Sequence, residues 1–130
     1  MLILTMRTDK PQAEVGLYRD QKQLQYVTWH ADRQLAETIH TKLKALLETQ
    51  SQTFSDVQAV VVFQGPGSFT GLRIGISVAN ALADGLSAPI VGTTGPDWIA
   101  NGLELLSQGK NHHLVVPQYG SPPHTTRPRK

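Results

Sequence analysis

The chain begins with an apolar run, Leu2 to Met6, interrupted by Thr5, and continues with a stretch in which Ala13, Val15 and Leu17 alternate with Glu14, Gly16 and Tyr18. A period of two belongs to a strand with one covered face, so the two segments read as antiparallel strands. Beyond the polar turn Arg19-Asp20-Gln21, Leu24, Tyr26 and Thr28 alternate with Gln23, Gln25 and Val27, and the polarity of this third strand suits a sheet edge. The period then changes. From Arg33 to Glu48 the apolar residues Leu35, Ala36, Ile39, Leu43, Leu46 and Leu47 fall within an arc of about 120°, which predicts a helix with a single apolar face behind Asp32 as N-cap. Ala59-Val60-Val61-Val62-Phe63 is a continuous β-branched and aromatic run, the pattern of a central parallel strand covered on both faces. It stops at Gly65-Pro66-Gly67, and a helix follows to about Asp84. Pro89-Ile90-Val91-Gly92 gives another strand, and a last helix opens with Pro96 in its first turn and closes before Gly109. The order β-β-β-α-β-α-β-α predicts one α/β lobe with a mixed five-stranded sheet, its later strands parallel through right-handed helical crossovers.

A length of 130 residues fits one such domain and has no room for a two-lobed enzyme. Without cysteine the chain has no disulfide framework, thiolate zinc site or cysteine nucleophile, and it suits a reducing compartment, so a cytoplasmic protein is expected. The first apolar run is too short for a signal-peptide core, and no stretch approaches the roughly 20 apolar residues that span a bilayer, so no membrane association is expected. The net charge of +2 hides a split: residues 1–104 carry eight basic and all ten acidic groups, residues 105–130 four basic groups and no acid. Four of the eight prolines also fall between Pro117 and Lys130, which opposes both helix and sheet. The ordered lobe is therefore expected over residues 1–116 and a basic, proline-rich, extended tail over 117–130. Arg127, Arg129 and Lys130 read either as a solvated terminus or as phosphate contacts to RNA.

The chemistry-bearing stretch is Gly65-Pro66-Gly67-Ser68-Phe69-Thr70-Gly71-Leu72-Arg73-Ile74-Gly75, where a strand, a glycine turn and a helix N-terminus are joined. Free backbone N–H groups there would attract a phosphate. The spelling fits none of the common versions. Gly71 is followed by Leu72 and Arg73, not by the Lys-Ser/Thr of a Walker A loop, and Gly65, Gly67 and Gly71 have the third glycine one place late for a dinucleotide fingerprint. Ser68 lacks the flanking glycines of a nucleophile elbow, since positions 66 and 70 are proline and threonine. The five histidines, His30, His40, His112, His113 and His124, include no pair four apart on a helix and no His-Glu-x-x-His.

On a helical wheel Thr70, Arg73, Ser77, Asn80 and Asp84 share one polar stripe, and the remaining arc of about 220° is apolar or small, wider than one sheet covers. The bulky Ile74, Val78 and Leu82 suit the sheet. Leu72, Ile76, Ala79 and Ala83 then lie on the other flank, where Gly71, Gly75, Ala79 and Ala83 leave a shallow groove for a second backbone. The second neighbour is either this chain's own first helix or a helix of a partner protein. Self-pairing of such a surface would give a homodimer.

The stretch from Gly65 to Gly75 resembles the signature of the bacterial TsaB family, the tRNA threonylcarbamoyladenosine biosynthesis proteins once called glycoprotease-like. The likeness continues through Ala79-Asn80-Ala81-Leu82-Ala83 and Pro89-Ile90-Val91-Gly92, and covers roughly residues 2 to 106. It implies an actin-like, ribonuclease-H-like lobe and a noncatalytic companion without a cofactor. In that family the partner is TsaD, which carries the metal and transfers the threonylcarbamoyl group to adenosine 37 of tRNAs reading codons that begin with A. TsaE, an ATPase, joins them, and tRNA is engaged through the complex. Family pairing through a bundle of helices corresponds here to residues 33–48 and 69–84, which singles out Leu35, Ile39, Leu43, Leu72, Gly75, Ile76, Ala79 and Ala83 as the expected interface, beside the signature loop Gly65, Pro66, Gly67, Ser68, Phe69, Thr70, Gly71 and Arg73. Family members usually have two lobes, whereas one is read here. The first strand of the family usually ends in Ile-Asp-Thr, but here the sequence is Met6-Arg7-Thr8-Asp9, so arginine stands where an actin-like nucleotide site has its carboxylate unless Asp9 substitutes. A minimal nucleotide-binding or ATP-hydrolysing lobe is the alternative reading, and an independent tRNA-binding module using the tail is a third.

Overall fold

The computed structural model describes residues 1–119; Arg127, Arg129, Lys130 and His124 lie outside the described residues. Five strands and three helices follow one another as β1 (Leu2–Arg7), β2 (Gln12–Arg19), β3 (Lys22–His30), α1 (Leu35–Glu48), β4 (Ala59–Phe63), α2 (Phe69–Leu86), β5 (Ile90–Thr93) and α3 (Trp98–Ser107), with short 3-10 turns at Asp32–Gln34 and Phe54–Asp56. The expected order of elements is the observed one.

The sheet runs β3-β2-β1-β4-β5. β1 pairs antiparallel with β2, placing Leu4 opposite Leu17, and parallel with β4, placing Leu4 beside Val60; β5 continues the parallel half. β3 and β5 are the edge strands, and the partly exposed pattern of β3 matches its polarity. β4 is buried at every position, as an apolar run without alternation requires. α3 covers one face: Val61 packs against Gly102 so closely that a Cβ at residue 102 would collide with it. By the strand's period of two, Val60 and Val62 then face the layer formed by α1 and α2.

Three local expectations are corrected. Asp32 lies in the 3-10 turn, so it is not the N-cap of α1, which starts at Leu35 behind Gln34. α2 runs on to Leu86 and ends where Ser87 takes a left-handed conformation, the geometry that terminates helices even when glycine does not supply it. α3 begins at Trp98, so Pro96 belongs to the preceding turn and not to the first helical turn.

The orientation of α2 differs from expectation in a way that matters for function. Leu72, Gly75, Ile76, Ala79 and Ala83 are buried in this chain's own core, whereas Ile74, Val78 and Leu82 are half-buried. Leu35, Ile39 and Leu43 of α1 are buried too. None of the eight side chains expected at an interface is available to a partner. The small residues bring α2 close to its own molecule: a Cβ at Gly71 would strike the Thr8 carbonyl and one at Gly75 the Thr8 side chain. The second backbone that the small-residue groove admits is the segment leaving β1. Bulk selected the wrong arc, because close packing of a helix needs small residues at the contact and bulk only beside it.

Candidate functional site

The site is built around the end of β1. Arg7 donates from Nε and Nη2 to the two carboxylate oxygens of Asp9 at 2.7 and 3.1 Å, and its guanidinium carbon stands 3.9 Å from the centre of the Phe63 ring. Asp9 is 8% exposed, so this fork is the compensation for a nearly buried charge. The hydrogen bond to Asp9 is the main cause that raises the Arg7 pKa above its ordinary value. Nearby, the Tyr26 hydroxyl donates to Glu14 at 2.6 Å; burial first, and that carboxylate second, push the phenol well above its usual range.

The glycine loop is stitched onto this corner. Ser68 N–H donates to the Asp9 carbonyl at 3.0 Å, and the Thr8 hydroxyl donates to the Gly71 carbonyl at 2.7 Å. Gly65 has φ +126° and follows Gln64; Gly65-Pro66 is a cis peptide. A Cβ at Gly65 would meet the Gln118 carbonyl and one at Gly67 would meet Asp9. Together with Gly71 and Gly75 against Thr8, these contacts give each signature glycine a packing reason inside the chain. The loop is a clasp between the ends of β1 and β4.

Sequence reasoning missed a strap formed by residues 111–119. Asn111 Oδ1 accepts from Ile90 N–H at 3.1 Å, His112 N–H donates to the Ile90 carbonyl at 2.8 Å, and His112 Nδ1 accepts from Gly92 N–H at 3.0 Å. These bonds cover the outer edge of β5. Asn80 then exchanges two hydrogen bonds with the Val115 backbone, at 2.9 and 3.0 Å, as a neighbouring strand would. The Gln64 amide donates to the Val116 carbonyl and Gln118 N–H to the Gln64 carbonyl, both at 2.8 Å. The strap therefore continues past residue 116, and Tyr119 stacks on Phe69 with ring centres 4.5 Å apart. The available signals were Asn80 within a largely apolar helix and the short apolar run Leu114-Val115-Val116. Asn80→Ala should free the strap at a cost of about 1–2 kcal/mol, since two partly buried backbone groups lose their partner. Amide exchange checks it: Val115 and Gln118 should exchange faster while β1 stays protected.

Outside the core, α2 presents Ile74 and Val78 with Thr70, Arg73 and Ser77 around a surface trough of about 320 Å³. A second cleft of about 300 Å³ lies between the β1–β2 turn and the starts of α1 and α2, lined by Thr8, Lys10, Arg33, Ser68, Thr70 and Ile74 among others. Ile74 belongs to both. Among the described residues no three His, Asp or Glu side chains come together to hold a metal, and no helix is long and apolar enough to cross a membrane.

A five-stranded mixed sheet with two helices on one face and one on the other, clasped at the ends of β1 and β4, is a single lobe of the actin-like, ribonuclease-H-like class. The Thermus thermophilus RuvC chain solved with a Holliday junction has the same fold at 13% identity, with a TM-score of 0.53 over 95% of this chain and 85% of that one. The family model described as TsaD: tRNA N6-adenosine threonylcarbamoyltransferase matches residues 27–116, and the chain belongs to that family. It is TsaB-like within it. The tRNA threonylcarbamoyladenosine biosynthesis protein TsaB of Escherichia coli K12 is 33% identical over 107 residues, which cover 78% of this chain and 44% of that protein. YeaZ from Pseudomonas aeruginosa superimposes with a TM-score of 0.68 at 27% identity, over 83% of this chain and 50% of that one. The chain thus spans about half the length of these relatives.

Proposed function

We propose that the chain is a noncatalytic subunit in the formation of threonylcarbamoyladenosine at position 37 of tRNA, holding a TsaD-like transferase subunit through the outer face of α2. The observation that carries this reading is the stripe Ile74, Val78 and Leu82, one turn apart, which the chain's own core covers only in part, beside the trough at Arg73 and Ser77. A stripe at that spacing accepts a helix laid alongside. Membership of the transferase family and likeness to TsaB support a TsaD-like partner; a TsaE-like ATPase as a further component and a cytoplasmic location are part of the proposal. The alternative of a nucleotide-hydrolysing lobe is disfavoured by Asp9, whose two carboxylate oxygens are engaged by Arg7 where a nucleotide-bound cation would need a free carboxylate.

The test is a Val78→Glu variant. Its side chain is half-buried, so the variant should stay folded with a modest loss of stability, while affinity for the transferase subunit in a pull-down or calorimetric titration should fall at least about tenfold through burial of an unpaired carboxylate. The same substitution should abolish any homodimer that light scattering detects for the chain alone. Undiminished binding by the folded variant would remove α2 as the docking face.

A further inference from the structure

Four of the five exposed large apolar side chains among the described residues, Phe69, Leu114, Val116 and Tyr119, lie on the strap or at the loop–helix junction it crosses. Phe69 is 56% and Tyr119 40% exposed, yet the two rings stack with an interplanar angle of 29°, and the Arg73 guanidinium stands 5.4 Å from the Phe69 ring centre. Planar rings held in this way in water present stacking surface without having to be ordered by a ligand. Ser68 and Thr70, on either side of Phe69, line the cleft that also holds Lys10 and Arg33.

Charge decides which kind of molecule fits. Arg33 and Arg73 have no carboxylate partner among the described side chains. Of the nearby carboxylates, Asp9 is engaged by Arg7 and Glu14 by the Tyr26 hydroxyl, with Lys10 at 4.0 Å from Glu14, while Glu37 stands in the first turn of α1. A protein ligand would have to bring both aromatic contacts and carboxylates to this corner. Single-stranded nucleic acid brings π-faces and phosphates in every repeat, and aromatic platforms beside a basic groove are how proteins hold it.

We propose that Phe69, Tyr119 and Arg73, with Lys10 and Arg33, form a seat for single-stranded nucleic acid, in which a base extends the Tyr119–Phe69 stack and neighbouring phosphates enter the Lys10–Arg33 cleft. That the strand is an unpaired RNA loop rests on the function proposed above; the seat's chemistry is shared by single-stranded DNA.

The full chain is titrated by fluorescence anisotropy with short labelled single strands of RNA and of DNA, and with an RNA duplex, at low and physiological salt. Single strands should bind more tightly than the duplex. Phe69→Ala and Tyr119→Ala should each weaken binding about tenfold, the loss typical of one stacked base. Arg33→Gln should lower the salt slope by about one, as expected when one phosphate contact is removed. These side chains are exposed, so unchanged melting curves serve as the folding control. Preference for RNA over DNA ties the seat to an RNA loop, and equal affinity supports the seat while cutting that tie. Affinity unchanged by either aromatic substitution, or a duplex bound as tightly as a single strand, overturns the proposal. So does loss of transferase capture in Phe69→Ala with RNA affinity intact, which would make the stack a protein contact. Leu82→Ala, which trims the docking stripe more than two helical turns from Arg73 without adding a charge, should leave RNA affinity unaltered, so the docking face and the seat fail separately.

Discussion

A Leu72→Ala variant should lose about 3 kcal/mol of stability, within the usual range for a leucine truncated in a closed core, and should unfold at correspondingly lower urea. Leu72 is fully buried on the inward face of α2, and its Cδ1 lies beneath the Gly65 turn. Had this side chain lined a partner groove, its removal would have cost binding and spared the fold. The same substitution at Val78, which is half-buried, should cost well under half as much, because the transfer and cavity terms both shrink with burial. Urea denaturation of the two variants therefore reads the rotation of α2 directly. Equal losses would mean that the helix is turned as the size of its side chains first suggested.

That rotation was hidden for a physical reason. Strand and helix identities follow from one-dimensional periods: the alternation at Ala13, Val15 and Leu17 and the unbroken run Ala59 to Phe63 each have a single structural solution, and the five strands and three helices lie where those periods put them. A wheel with two apolar arcs has two solutions. Choosing between them requires knowing that Thr8 backs onto Gly71 and Gly75, a contact between residues more than sixty apart that no local period encodes. The strap was hidden for the opposite reason. Residues 111–119 are held by side chain to backbone bonds from Asn80, Gln64 and Asn111, so they have no periodic apolar pattern to announce them, and Pro117 argues against the strand-like course that Asn80 imposes. The signature glycines were legible as a motif but not as a mechanism: their spacing suggested room for a phosphate, and the room is filled by Asp9, Thr8 and Gln118.

Arg7→Ala is expected to be nearly as damaging as the loss of Leu72, about 3 kcal/mol, although it removes a charged side chain that is itself 20% exposed. The damage comes from what remains. Asp9 keeps 7% of its side-chain surface in water, and without the guanidinium its carboxylate has lost both of its hydrogen-bond donors. Phe63 simultaneously loses the cation over its ring. If the charge left behind is the main cost, Arg7→Ala combined with Asp9→Ala should be more stable than Arg7→Ala alone, because the second substitution removes the uncompensated group. Packing of the arginine stem over Phe63 predicts the reverse, with the double variant no better than the single one. The distinction bears on function, since the Asp9 carbonyl accepts the Ser68 N–H and its Cβ lies under Gly67. An unpaired Asp9 that shifts toward water would pull on the clasp that fixes the start of α2, and hence on both the Val78 face and the Phe69 stack. An Arg7→Ala variant as stable as the parent chain would show that Asp9 is held by the backbone alone and that the arginine has no part in setting the helix.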